Sequence, residues 1–356
     1  MMKPLVILVL AIMVAPAAGA QTADFFELVK TGTPQSIQGA IANGADVKAR
    51  DINGTTPLHV AAQYNHNPEV IPVLVKAGAD LNAKDVNGCT PLLLVLENTE
   101  QFPETITALV KAGADVNAKD NNGYTALILA LGKKYPPGVI TAILKAGAEV
   151  NAPGVDTPLD SALENKYPPE VIAAFLQAGA DVNNPNSAGM TPLISALMNN
   201  NPSEVVAALL RAGANARVLT HDGLNSLMLA AADNHDPDVI TMLVKSGGDV
   251  NAKDTDGMTP LMYALTWGAM TNQTSDVVIA LVKAGADVNA RDKNGATPLM
   301  YATNGSNPQV IIPAFLKAGA DTKAKDSTGK TALDYAKINE KLKGTDAYRQ
   351  LQQASQ

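Results

Sequence analysis

"LVKAGADVNAKD", residues 109–120, returns with small changes along most of the chain. Nine copies begin at Ala40, Leu74, Leu109, Ile143, Phe175, Leu209, Leu243, Leu281 and Phe315, at spacings of 34, 35, 34, 32, 34, 34, 38 and 34 residues. A second phrase, G-x-T-P-L, keeps step with the first. It reads Thr56-Pro57-Leu58, Thr90-Pro91-Leu92, Thr125-Ala126-Leu127, Thr157-Pro158-Leu159, Thr191-Pro192-Leu193, Asn225-Ser226-Leu227, Thr259-Pro260-Leu261, Thr297-Pro298-Leu299 and Thr331-Ala332-Leu333. Two phrases locked at one period describe one structural unit used repeatedly.

Each letter of that unit has a physical task. Threonine before proline before an apolar residue starts a helix: the hydroxyl accepts an orphan N–H, and proline at the first helical position forfeits no hydrogen bond. A short helix follows, as in PLHVAAQY from Pro57 to Tyr64, where Ala61 and Ala62 let neighbouring units approach closely. Second start signals stand at Asn67-Pro68-Glu69, Asn201-Pro202, Asp236-Pro237-Asp238 and Asn307-Pro308, and Val70, Ile71, Leu74 and Val75 form one apolar helical face. Gly78 closes that helix, and ADLNAKDVNG carries the chain out and back through a turn at Asn87-Gly88.

This helix, helix, loop pattern resembles the ankyrin repeat, whose T-P-L-H-x-A signature it carries at Thr56–Ala61. The resemblance covers the chain from about Asp24 to Gln356 and implies an all-α solenoid with hairpin-like loops, about ten stacked helix-turn-helix units. An N-terminal cap falls at about 23–50, complete repeats at about 51–325 and a C-terminal cap at about 326–356. A unit of this size cannot bury its own apolar face, so each must be covered by its neighbours. Four departures stand out. The interval around Ala152 is two residues short, NAPGVDTPLD, which suggests a truncated loop. The histidine after T-P-L is kept only at His59, which suggests loops held less rigidly than usual. GANARVLTHDGLNSLM loses both the Asp-Val-Asn and the Thr-Pro, and is expected to be a weak joint. The 38-residue interval adds four residues in LTWGAMTNQTSD, with the single tryptophan, Trp267.

The first twenty residues, MMKPLVILVLAIMVAPAAGA, read as an export signal: Lys3, an apolar run from Leu5 to Val14, then Ala18-Gly19-Ala20 before a cut after Ala20. Ten apolar residues fall short of the roughly 20 that span a bilayer. The mature chain is expected in the periplasm or outside the cell, without a membrane span and as a monomer. Net charge is −7 for the full chain and −8 once Lys3 leaves, with no basic cluster, which argues against nucleic acid as partner. Cys89 is the only cysteine, so no intramolecular disulfide can form and stability must come from packing.

The residues offer little catalytic chemistry. His59, His66, His221 and His235 lack the spacing of a metal site, and no metal or cofactor is expected. Asp80, Asp115, Asp181, Asp249 and Asp287 recur once per unit and read as loop-bonding carboxylates. Cys89, between Gly88 and Thr90 with no histidine nearby in its unit, reads as a packed, inert thiol.

What the resemblance implies is a non-enzymatic interaction scaffold that binds a partner protein on the concave side, along the loop tips and the exposed ends of the first helices. Position by position, the tips include Ile52, Asn53, Val86, Asn87, Asn121, Asn122, Thr255, Asp256, Lys293 and Asn294. The candidate partner-binding set is Gln63, Tyr64, Glu97, Asn98, Tyr124, Lys133, Tyr135, Tyr167, Met198 and Trp267, with Tyr64, Tyr124, Tyr135, Tyr167 and Trp267 as anchors. For Tyr135 and Tyr167, before Pro-Pro, bracing of the loop stands beside binding; Tyr263 and Tyr301, on the helices, read as core. Two other functions stay open: an inhibitor or immunity-type regulator of a periplasmic or secreted enzyme, and a small-molecule binder or enzyme built on the Trp267 insertion.

Overall fold

The computed structural model describes residues 18–98, 102–151, 157–233, 236–266, 274–305 and 307–356. Within them the chain is helical, and the helices run in pairs. Ala18–Thr31 pairs with Pro34–Ala42, Pro57–Tyr64 with Val70–Lys76, Pro91–Glu97 with Pro103–Lys111, and Ala126–Gly132 with Pro137–Lys145. Pro158–Glu164 then pairs with Pro169–Gln177, Pro192–Met198 with Ser203–Arg211, Ser226–Ala232 with Pro237–Lys245, and Pro260–Thr266 with Thr274–Lys283. The last pairs are Pro298–Ala302 with Pro308–Lys317 and Ala332–Ile338 with Asp346–Ala354. An all-α repeat solenoid is therefore the fold class, as the period requires. No described helix is long and apolar enough to cross a membrane.

The chain forms two compact units, Met1–Ala148 and Glu149–Gln356. Inside each, the first helix of a pair packs on the first helix of the next, and the second on the second. Leu74 and Leu109 lie in successive tiers of one unit, Leu209 and Leu243 in successive tiers of the other, and all four are fully buried. Among the described residues of each unit the buried apolar side chains lie in successive tiers, each drying the next.

Local chemistry sets the helix ends. Thr90 Oγ1 accepts from the Leu93 N–H at 3.3 Å and Thr157 Oγ1 from the Asp160 N–H at 3.2 Å. Where threonine is lost, Asn225 Oδ1 accepts from the Met228 N–H at 2.8 Å. Gly78 ends its helix at φ 93°, a left-handed conformation that side chains resist. The loops are built around one carboxylate: Asp85 Oδ1 accepts from the N–H of Asn87 at 2.9 Å and of Cys89 at 2.8 Å. Successive tips then bond edge to edge, Val86 N–H to Asn53 O at 3.0 Å and Asn121 N–H to Asn87 O at 2.9 Å. A Cβ on Gly88 would lie 2.6 Å from Asn121 Oδ1, so the approach of the two tips needs glycine there.

A second ladder runs through the asparagine of the Asp-Val-Asn phrase. Asn251 Nδ2 donates to Gly285 O at 3.1 Å while its Oδ1 accepts from the Asp287 N–H at 2.7 Å, and Asn289 repeats this on Gly319 and Asp321. The recurring aspartates bond locally, as expected: Asp249 and Asp287 each accept from the N–H two residues on.

The tier expected to be a weak joint is tied by substitutes. Arg217 Nε donates to Gly247 O at 2.9 Å, Asn225 Nδ2 to Asp249 O at 2.9 Å and Ser226 Oγ to Ala216 O at 2.7 Å. The boundary between the two compact units falls between Ala148 and Glu149, beside the short interval, of which residues 152–156 lie outside the described ones. Some loops that lack the motif histidine keep the carboxylate cage and the tip contact, whereas the loop of Thr220 keeps only the Leu224 N–H on Thr220 Oγ1, at 3.1 Å. Asp292 Oδ1 accepts from the N–H of Asn294 and of Ala296, both at 2.8 Å, and Lys293 N–H reaches Asp256 O at 2.8 Å. Backbone amides on an aspartate hold this loop, without the additional ring bonds that His59 makes in its own.

Candidate functional site: an aromatic and acidic groove

Two of the anticipated anchors and a third candidate contact present themselves to solvent: Tyr64 is 49% exposed, Tyr124 46% and Met198 51%. Glu97 and Lys133 are exposed as well, and Gln63 is half-buried. Asn98 serves the stack, its Nδ2 donating to the Gln63 carbonyl of the preceding tier at 3.1 Å. Trp267 lies outside the described residues.

Two anchors are corrected. Tyr135 is fully buried and donates its hydroxyl to Val95 O at 3.1 Å, and Tyr167 is buried with its phenol pushed up to about 12 by that burial. Neither can meet a partner. The cause is local: Lys134 and Lys166, both at φ 54°, reverse the chain so that the next side chain points inward. Asn200 at φ 50° does the same for Asn201, whose Nδ2 donates to Leu163 O at 3.1 Å. Asn201 was therefore misread as a helix cap; it reaches back, as Tyr135 does, to a carbonyl of the tier before it.

The catalytic candidates give little. His59 is fully buried, with Nδ1 accepting from the Thr56 N–H at 3.2 Å and Nε2 3.0 Å from Cys89 O, and burial lowers its pKa. The ring is a neutral strut between adjacent tiers. Cys89 is buried, and burial, then Glu97, push its thiol up to about 12. Ligand atoms of Cys89, Glu97 and Asp120 lie within 4.8 Å of one another, a cluster that the sequence concealed because its members come from two tiers. Those are the described residues that could hold a cation. Burial first, then the neighbouring carboxylates, favour the protonated thiol in the metal-free chain, so a cation would have to displace that proton to bind the sulfur.

A site the sequence did not reveal lies in the C-terminal unit. Asp254, Asp292 and Asp326 each organise a loop through Oδ1, and nine residues on each is matched by a tyrosine of the following first helix. Tyr263 OH donates to Asp254 Oδ2 at 2.7 Å, Tyr301 OH to Asp292 Oδ2 at 2.7 Å, and Tyr335 OH to Asp326 Oδ2. Tyr263 and Tyr301, half-buried, pack their rings on Met258, Met262 and Ala290. Their phenols are raised, by burial first and then by the bonded carboxylates. Reading these two residues as core was half right, since Tyr301 also lines a cavity of about 520 Å³. Tyr335, Asp292 and Asp326 line it too, with Asn294 from a loop tip and Asn304 from the end of a first helix. This is the surface of loop tips and helix ends anticipated above, but with different anchors. The signal was present as Tyr in PLMYA, PLMYA and ALDYA, where the corresponding positions in the N-terminal unit are Val60, Leu94 and Leu129.

The family model for Ankyrin repeats (3 copies) matches residues 25–120, 67–154, 159–254, 193–292 and 265–347. Among curated proteins, none matches the chain. With that model running over most of the sequence, and with capped helix pairs, edge-bonded loop tips and tier-on-tier burial beneath it, the chain belongs to the ankyrin-repeat family.

Proposed function

We propose that the chain is an exported, non-enzymatic scaffold that holds a protein partner along the loop tips and first helices of its C-terminal unit. Ankyrin repeats generally mediate protein–protein interaction, and repeat stacks offer long open faces for it. The observation that carries the choice of surface is the groove at Tyr301 and Tyr335, where two rings, two amides and two carboxylates converge on one cavity. Tyrosines held by carboxylates are rigid, amphipathic contacts, the kind of group on which binding energy concentrates. Met198, in the same unit, supplies a further exposed contact. The signal-like start, Met1 to Ala20, supports export, with the mature chain beginning at Gln21 and acting as a monomer in the periplasm or outside the cell.

The test is affinity capture from the envelope fraction and the medium with the mature protein, beside Tyr301→Ala/Tyr335→Ala and Tyr64→Ala/Met198→Ala variants. Loss of one specific protein with the first variant is expected. Retention of every captured protein by both variants would sink the reading. N-terminal sequencing of the exported chain should begin at Gln21.

A further inference from the structure

We propose that the groove takes the guanidinium of an arginine-bearing segment of the protein partner, an inference that rests on the groove being the partner-binding face. The charge of the lining is one-sided: it includes Asp292 and Asp326 and no Lys, Arg or His among the described residues. Of the nearby basic groups, Arg291 and Lys293 are engaged outside the groove, while Lys330 already covers a face of the Tyr335 ring, which leaves Tyr301 as the ring for the guanidinium. Arg291 donates to the Lys325 carbonyl, Lys293 Nζ is 3.4 Å from Asp256, and Lys330 lies over the Tyr335 ring with Nζ 5.4 Å from its centroid. That last contact is at a distance where a cation is attracted to an aromatic face.

The carboxylates do not offer a free fork. Asp292 accepts two backbone N–H groups and a phenol, and Asp326 accepts the Thr328 and Lys330 N–H groups, the Thr328 hydroxyl and a phenol. They act instead through the field and through the tyrosines. A hydroxyl that donates to an anion is polarised into a stronger acceptor, so the two phenol oxygens carry the negative character into the cavity. Tyr335 and Thr328 also hold the Asp326 carboxyl far below the usual range, so its charge persists at any ordinary pH. A planar guanidinium can stack on a tyrosine face and spread five N–H donors over separated acceptors, which an ammonium cannot. Leu265, Ala296 and Met300 give the arginine stem an apolar wall.

Fluorescence anisotropy of a fluorescein-labelled Gly-Leu-Arg-Leu-Gly peptide on the full mature chain tests this, against versions with citrulline or glutamate at the central position. Citrulline keeps the shape and removes the charge. The arginine peptide should bind saturably and the citrulline peptide at least about tenfold more weakly. Exposed Asn304→Lys, which leaves the buried layers untouched, should abolish binding by placing a cation in the groove. Tyr301→Phe/Tyr335→Phe should weaken it several-fold while the circular dichroism spectrum stays the same. Equal binding of the citrulline peptide, no saturable binding of the arginine peptide, or indifference to Asn304→Lys would each overturn the proposal. Arginine amide binding as tightly as the peptide would overturn it too, in favour of a free small cation. If capture of the partner depends on Tyr301 and Tyr335 while citrulline is tolerated, the partner surface stands and only its charge preference falls.

Discussion

The loop of Asp85 and the loop of Asp292 share a skeleton and differ in what they offer. In both, Oδ1 gathers two backbone N–H groups at 2.8–2.9 Å, and the tip bonds the neighbouring tip. Nine residues on, the first has Leu94 and the second Tyr301. Beside Asp85 the chain gathers a buried thiol and two more carboxylates, with burial and its acidic neighbours pushing Glu97 upward. Beside Asp292 a phenol satisfies the free carboxylate oxygen and opens a cavity. Backbone-directed bonds keep the repeat, and a single helical position decides whether the second carboxylate oxygen meets a phenol.

The largest expected effect separates buried from groove tyrosines. Tyr135→Ala should cost about 3–5 kcal/mol in chemical denaturation, since it empties a fully buried site and frees the Val95 carbonyl. A cost under about 1 kcal/mol would mean that Tyr135 does not brace the stack after all. Tyr301→Phe removes only a hydroxyl from a half-buried ring and should cost about 1 kcal/mol, while weakening the basic peptide.

Acid should act on the two units in sequence. Burial lowers His59, so the stability it contributes is whole above its unfolded pKa of about 6.5 and is lost as pH falls through the lower folded value. The Thr331 N–H and hydroxyl, then Lys337, hold Asp334 at about 2, so its contribution lasts down to the unfolded value of about 4 and disappears below it. Hydrogen-exchange protection at Cys89 and Leu93 should therefore decline at a higher pH than at Lys330 and Asp334. The reverse order would refute the assignment. The smallest effect is expected from Leu94→Tyr, which imports the groove residue beside Asp85. Because Leu94 is only half-buried, stability should shift by about 1 kcal/mol or less. A crystal structure of that variant should show a new phenol bond to Asp85 Oδ2, and a ring turned away from Asp85 would show that the position alone does not make the groove.

Much of the fold was legible because its determinants are local and repeated. Thr-Pro-Leu starts a helix by hydrogen bonds within four residues, and Gly78 ends one by its own φ. The second-helix starts were less legible: Asp236 does accept from the Asp238 N–H at 3.0 Å, while Asn201 turns inward. Tyr135 and Tyr167 were misplaced for the same reason. A left-handed lysine before each sends the ring inward, and its sequence does not distinguish it from an ordinary turn residue.

From its sequence alone the chain determined the period, the helix pairs and the caged loops, since each is enforced by contacts within one repeat or between identical neighbours. Tertiary structure alone decided which tyrosines are struts and which line a groove, and it brought Cys89, Glu97 and Asp120 together. Those outcomes depend on which carbonyl, carboxylate or ring of the adjoining tier a side chain meets. A repeat specifies that a neighbour exists, but the chemistry on the neighbour's facing edge is fixed only when the tiers are stacked.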